Sequence, residues 1–349
     1  MISKTLQNTA KQIIKEFNNN KIHYALARNY EKFPNFGRDI DFFSSEPISK
    51  LKKILNSVAK KNKWDCLVHD NHFKSAFNKT SDIDVFHFYK FKSGKYEVLH
   101  LDFFRGSLLL GLPFIWPLIT KKLINKKELF IIDQNSENIF KLLTINSHIS
   151  NKNEFQKKYI KKKIKLYSKK VITYSNKNKN FEIIAKNKGV FFAKKAIYFL
   201  KKNNHEQFKF YMNFSRIIFF IKYFFLNPLS FLFYISSRII DLINHYFLNP
   251  TGSVINFCLE DIKHKQKIFN SLNLLKNKNF ISSWKLQKKK VILNSTERKI
   301  LERHGVIISF NSDIKNGSLL IKKNYDLNKI VSLLVLRLVK KNSLIYQRK

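Results

Sequence analysis

The sequence predicts an α/β protein: an N-terminal mixed sheet with a helical extension, then a smaller α/β unit at the C-terminal end. Three observations carry that prediction. Asp39–Phe43 and Glu97–Phe104 alternate polar and apolar residues with the two-residue period of strands. Residues 2–18 and 47–58 place apolar side chains at helical spacing. Beyond residue 251, the strand-like runs Val254–Cys258, Gly305–Phe310 and Gly317–Lys322 are interleaved with helical patterns.

Taken in order, Ile2, Leu6, Ile13, Ile14 and Phe17 fall near one face of a first helix, which Asn18-Asn-Asn20 ends. Lys21–Ala27 reads as the first strand, and a loop with Pro34 and Gly37 leads into the strand Asp39–Phe43. Ser44 and Ser45 are cap residues for a helix with Pro47 in its first turn and Ile48, Leu51, Ile54, Leu55 and Val58 as its apolar stripe. Ser81–Phe88 and the Asp102 strand are expected to form a hairpin turning at Lys92–Lys95. Residues 104–120 are very apolar, but Gly111, Pro113 and Pro117 interrupt them. They are too short for the about 20 residues of a membrane span and read as a buried loop or an acceptor-pocket wall. Ser136 is the expected cap of a helix with Ile139, Leu142 and Leu143 inward. Residues 154–170 follow as a basic helix with Phe155, Tyr159, Ile160, Ile164 and Tyr167 on one face. Its lysines read as a solvated face or, alternatively, as a positive lip for a nucleotide or anionic acceptor.

The chemistry centres on Asp39 and Asp41. In a strand, residues two apart share a face, so these carboxylates point the same way. Asp102 shares a face with His100 on the second strand, with Leu99, Leu101 and Phe103 on the other. Three carboxylates on neighbouring strands suit two Mg²⁺ or Mn²⁺ ions and phosphoryl or nucleotidyl transfer. Asp82 and Asp84 are a rival pair, also two apart in a strand. His100 reads either as a residue orienting Asp102 or as a satisfied, half-buried histidine. His69, His72 and His87 have no metal-ligand spacing.

A strand, a short turn, a ten-residue step to Asp-x-Asp and a third Asp about 60 residues later resemble the nucleotidyltransferase fold shared with polymerase β and kanamycin-type adenylyltransferases. More narrowly, Tyr24–Tyr30, Phe33-Pro34 and Asp39-Ile40-Asp41 resemble nucleotidyltransferases found among bacterial surface-polysaccharide genes. The resemblance implies that Asp39, Asp41 and Asp102 are catalytic and hold the metal. Arg28, Asn29 and Arg38 would contact a nucleoside triphosphate, and the acceptor would be small or a carbohydrate. The large family usually has Gly-Ser before the Asp pair. Arg28 and Asn29 stand there instead, and an arginine can clamp phosphate bidentately.

The expected divisions are 1–135, a helical, aromatic- and Lys-rich extension over 136–250, and 251–349. In the last of these, Gly252–Leu272 fits the frame of a thymidylate-kinase-like P-loop. Asp261 and Lys265 are in the places of that family's Asp and Lys. Leu259, Ile262 and His264 replace the glycines, and Gln266-Lys267 replaces the Ser/Thr pair. A phosphate cradle needs both features, so ATP binding is not expected there, whether the unit is a decayed kinase or an ordinary strand–helix pair.

Composition bounds the rest. The 349 residues are 44% hydrophobic with 34 Phe, which excludes a disordered chain and leaves room for a sizeable core. The net charge is +42, but nine of the 66 basic residues are Arg, and the abundant Lys accompanies Asn, Ile and Phe throughout. That joint bias is what an AT-rich genome produces. A solvated background is favoured over contact with an anionic membrane surface, and nucleic acid comes last. Cys66 and Cys258, without metal-ligand spacing, and an N-terminus without an apolar signal segment fit a cytoplasmic protein. Tyr223–Ser237 is uncharged between Lys222 and Arg238 and broken at Asn227-Pro228. It is expected as a buried or interfacial helical hairpin rather than a span, with peripheral contact to the inner membrane face. A catalytically inactive scaffold at that membrane is the alternative to an enzyme.

Overall fold

A computed structural model describes residues 3–36, 39–72, 83–92, 95–105, 108–109, 112–113, 119–124, 127–150, 155–226, 228–229, 231–232, 235–236, 239, 253–259, 263–277, 281, 283–286, 296–297, 300, 305–310, 319–322, 324–338 and 344–347. The chain forms two compact units. The first holds residues 1–50, 71–85 and 101–237, and the second residues 51–70, 86–100 and 238–349.

The first unit opens with α1 (Lys4–Asn19), whose N-terminus is capped by the Ser3 hydroxyl accepting the Leu6 N–H at 3.2 Å. Leu6, Ala10, Ile13, Ile14 and Phe17 are buried, as their spacing predicts. Strand β1 (Ala25–Leu26) is shorter than expected. Lys21 turns into the left-handed region (φ 49°), the Ile22 N–H still bonds the Phe17 carbonyl at 2.9 Å, and the His23 N–H donates to Glu46 at 2.9 Å. Residues 21–23 are thus spent on closing the helix and meeting a side chain. β1 pairs antiparallel with β2 (Asp39–Phe43) in the register Ala25–Phe43 and Leu26–Phe42, and parallel with β9 (Lys127–Ile132), itself hairpinned to β8 (Ile119–Ile124). Below this sheet Phe17, Tyr24, Phe42 and Phe103 form an aromatic layer, with Phe42 and Phe103 stacked at 4.9 Å.

Helices α3 (Gln134–Ser150), α4 (Lys158–Lys177), α5 (Phe181–Asn187), α6 (Ala193–Lys201) and α7 (His205–Leu226) complete this unit. Their apolar faces share one core with Ala25, Ala27, Phe43, Val85 and Phe104. Asp133, not Ser136, caps α3: its carboxylate accepts the Asn135 and Ser136 N–H groups, both at 3.0 Å. Ser136 lies one turn inside, buried, where Lys188 donates to its hydroxyl at 2.7 Å. Ile139, Leu142 and Leu143 point inward as expected. On α4 the buried stripe is Ile160, Ile164, Tyr167 and Val171. Tyr159, expected on that face, is exposed because it lies one position, about 100°, from Ile160. The pair β6 (Leu108–Leu109) and β7 (Leu112–Pro113) falls in the apolar 104–120 run, most of which lies outside the described residues.

In the second unit, α2 (Ile48–Lys61, its first turn in the other unit) buries Leu51, Ile54, Leu55 and Val58, as predicted. Strand β3 (Cys66–His72) pairs antiparallel with β14 (Leu344–Gln347). Burial pushes the Cys66 thiol up to about 12. The strands β10 (Ser253–Leu259), β11 (Trp284–Leu286), β12 (Val306–Ser309) and β13 (Leu319–Ile321) form a parallel sheet in the order β11-β12-β10-β13. Helices α8 (Lys263–Asn277) and α9 (Leu327–Leu338) share its core through Ile268, Leu272, Leu275, Ile330 and Leu334. Lys265 stands with its ammonium 5.4 Å from the centroid of the Phe310 ring, while Asp261 lies outside the described residues.

Strands β4 (Ile83–Lys92) and β5 (Lys95–Phe104) form the expected hairpin. Within the first unit, β2 lies between β1 and the Leu101–Phe104 end of β5.

Candidate functional site

The site is built from three adjacent strands of the first unit. The Ala27 N–H donates to the Asp41 carbonyl at 2.9 Å, which fixes the chain leaving β1 beside Asp41 and brings the next residue, Arg28, within reach of its carboxylate. On the other side, the Ser44 N–H donates to the Phe104 carbonyl at 3.1 Å, holding β2 against the strand that carries Asp102. Asp39 lies exposed at the start of β2. Asp41 is 2% exposed, and Asp102 is half-buried.

Both oxygens of Asp41 are engaged by Arg28: Nε donates to Oδ2, and Nη2 to Oδ1 at 3.0 Å. The remaining guanidinium nitrogen, Nη1, donates to the Tyr167 hydroxyl at 3.1 Å, and the group lies 5.4 Å from the centre of the Phe140 ring. Burial pushes the Asp41 carboxyl above the ordinary carboxylate range. Arg28 opposes that push, the nearby charge of Asp102 adds to it, and Lys163 opposes it. Burial likewise raises the Tyr167 hydroxyl, with Arg28 acting against the shift. Arg28, expected on phosphate, is therefore the counter-ion of Asp41 in this structure. Asn29 follows in the left-handed region (φ 58°) and starts the short 3₁₀ turn Tyr30–Lys32. Arg38 lies outside the described residues.

That turn leads to a second buried polar group. The Tyr30 hydroxyl donates to Glu137 at 2.8 Å, and the other Glu137 oxygen is paired with Lys141, one turn along α3. Burial lowers the Lys141 ammonium from its usual range, opposed by Glu137. α3 is buried on nearly all sides over Ser136–Asn146, and both side chains of the pair are only 5% exposed. The site residues that sequence reasoning missed are Tyr167, Phe140, Tyr30, Glu137 and Lys141, while Lys163 is one of the 154–170 lysines read alternatively as a positive lip. Arg28 is 139 residues from Tyr167, and Tyr30 is 107 from Glu137, so no local spacing announces either contact. The one available signal was the Glu137–Lys141 pair, opposite charges four apart on either side of Ile139 and Phe140.

Of the rival pair, Asp84 is buried with the Arg105 Nε 3.2 Å from its carboxylate, and Asp82 lies outside the described residues. In the second unit, His87 and His100 meet across the β4–β5 hairpin with ring nitrogens 3.0 Å apart. His69 is buried against Phe86, and the His72 side chain lies outside the described residues.

The donor chemistry of Asp39, Asp41 and Asp102, all carboxylate oxygens, is what Mg²⁺ or Mn²⁺ takes. Their arrangement does not fit such an ion, because Arg28 takes both Asp41 oxygens. Among the described residues, no group of three or more His, Cys, Asp or Glu side chains gathers as a metal site.

The fold class is α/β, with the three aspartates on neighbouring strands of a mixed sheet. No family model matches the chain, and no curated protein does. Among solved structures, an antigenic nucleotidyltransferase-like protein from Paracoccidioides brasiliensis overlaps 50% of this chain and 78% of its own at 14% identity and TM-score 0.29. JHP933 from Helicobacter pylori overlaps 66% of this chain and 100% of its own at 12% identity and TM-score 0.26. Overlaps this distant transfer no residue role to this chain.

Proposed function

We propose that this chain is a nucleotidyltransferase-like protein. It binds a noncovalently held nucleoside triphosphate at the start of β2 and passes the nucleotidyl group to a hydroxyl of a small or carbohydrate acceptor, the bond from the α-phosphorus to the bridging oxygen breaking to release pyrophosphate, in surface-polysaccharide biosynthesis. The observation that supports this most is the placing of Asp39, Asp41 and Asp102 on adjacent strands, with the Asp102 charge bearing on Asp41. The substrate classes come from the resemblance of Tyr24–Asp41. In this reading Asp102 accepts the proton of the acceptor hydroxyl. Lys163, close enough to influence Asp41, supplies positive charge for the phosphates. Mg²⁺ or Mn²⁺ enters through the same resemblance. Because the arrangement does not fit a metal, no chemical step is assigned to one.

The Arg28–Asp41 pair favours a second reading, an inactive scaffold in which an internal cation has closed the carboxylate site. Titration calorimetry with each nucleoside triphosphate, with and without Mn²⁺, separates the two. The leading reading expects heat with at least one nucleotide, lost on Asp39→Asn or Asp41→Asn, and turnover that Asp102→Asn reduces more than binding. Silence with every nucleotide in both conditions leaves the scaffold.

A further inference from the structure

The α7 helix has two unlike faces. Phe208, Met212 and Ser215 are buried against the core of the first unit. On the opposite side Phe210, Phe214, Ile217, Ile221 and Phe225 follow one another three or four residues apart, all exposed, with Phe225 75% exposed. That spacing makes a continuous stripe, about 24 Å long at 1.5 Å per residue. Towards the end of the helix the apolar surface widens. Phe224, Phe225 and Leu226 are successive and all exposed, which places apolar groups around most of the helix circumference. Leu229 and Leu232 beyond them are also exposed. Scattered exposed apolar residues are ordinary, but a contiguous band of Phe, Ile and Leu is a surface that meets an apolar partner.

The charges around the band indicate which partner. From Gln207 to Ile240 the sequence contains no Asp or Glu, while Lys209, Arg216, Lys222 and Arg238 punctuate it. Arg216 and Lys222 are exposed, and the Arg216 guanidinium lies 5.5 Å from the Phe220 ring centre. Among the described residues no helix is long and apolar enough to cross a membrane. A second copy of this stripe would set Arg216 and Lys222 against their own kind. An anionic lipid surface instead takes the rings among its acyl chains and the cations at its headgroups.

We infer that α7 is a membrane-surface helix, lying in the plane of an anionic bilayer with Phe210, Phe214, Ile217, Ile221 and Phe225 inserted. This is independent of the nucleotide reading. It extends the apolar segment legible in the sequence at Tyr223–Ser237 back by about four turns, to Phe210.

The test is flotation of the full chain with vesicles of equal parts phosphatidylcholine and phosphatidylglycerol, against phosphatidylcholine alone. The chain is expected to float with the anionic vesicles, to remain below with the neutral ones, and to be released by high salt. The double variant Ile221→Glu/Phe225→Glu changes only exposed positions and is expected to lose flotation with its circular-dichroism melting curve unchanged. As a second readout, the emission that Phe225→Trp adds to that of the parent's three tryptophans should shift to the blue on mixing with anionic vesicles and be quenched by brominated lipid. Flotation that survives the double variant, equal binding to neutral vesicles, or an unshifted tryptophan would overturn the assignment. So would self-association without lipid that the same variant abolishes, which would give the stripe to a second copy.

Discussion

Arg28→Met tests the central pair most directly. The substitution keeps much of the side chain's length and removes its charge, leaving Asp41, 2% exposed, without the guanidinium that meets both its oxygens. Removing one partner of a buried ion pair costs about 3–5 kcal/mol, because the remaining charge is stranded away from water. The hydrogen bond to Tyr167 and the contact with Phe140 are lost as well, but they belong to the same group and do not add in full. With about 2–4 °C per kcal/mol for a chain of this size class, the melting temperature should drop by roughly 10 °C at neutral pH. The pH dependence gives a sharper signature. Burial already raises the Asp41 carboxyl, and without Arg28 only the smaller opposing effect of Lys163 remains. An acid whose folded pKa lies above its unfolded value costs stability as pH rises through the interval between them, and that cost is relieved as pH falls. The deficit of Arg28→Met relative to the parent should therefore shrink as pH falls from neutral and Asp41 takes up a proton. Adding Asp41→Asn should restore part of the loss. Thermal and urea unfolding of the parent, both single variants and the double variant supply the whole cycle. A loss below about 1 kcal/mol for Arg28→Met, or a double variant that costs the sum of the singles, would refute a buried, mutually dependent pair.

The second buried group should behave alike. Lys141→Met strands Glu137 and is expected to cost about 3–5 kcal/mol, whereas Tyr30→Phe removes one donor from it and should cost about 1–3 kcal/mol, both read by urea unfolding. The Glu46 carboxyl is held below its usual value of 4.5, first by the His23 N–H and then by Lys50, with burial acting against them. A depressed acid stabilises the fold above its unfolded pKa and loses that contribution as pH falls through the folded one. Glu46→Gln should therefore flatten the acid side of the stability–pH curve below about 4.5 and be most destabilising at neutral pH, measured by melting temperature across pH.

The sequence by itself determined the α/β class, the run of elements from α1 through β2 to α2, and the hairpin that delivers Asp102. Each of these rests on local periodicity: Ile13 and Phe17, Ile54 and Val58, and Leu99, Leu101 and Phe103 are buried as their two- and 3.6-residue spacings require. The presence of Asp39, Asp41 and Asp102 on neighbouring strands was legible for the same reason. Local detail failed where a neighbour competed for the backbone or the cap. Residues 21–23 left the strand because Phe17 and Glu46 took their N–H groups, and Asp133 displaced Ser136 because its carboxylate reaches two amides from outside the helix. What each carboxylate faces was decided only by the tertiary structure. From the chain alone Arg28 reads as a phosphate ligand. It becomes the partner of Asp41 because the β1–β2 register sets them side by side and Tyr167 and Phe140, more than a hundred residues away, close around its guanidinium. Short-range spacing specifies which face a side chain takes, but the charge it meets in a buried site is set by contacts that chain distance conceals.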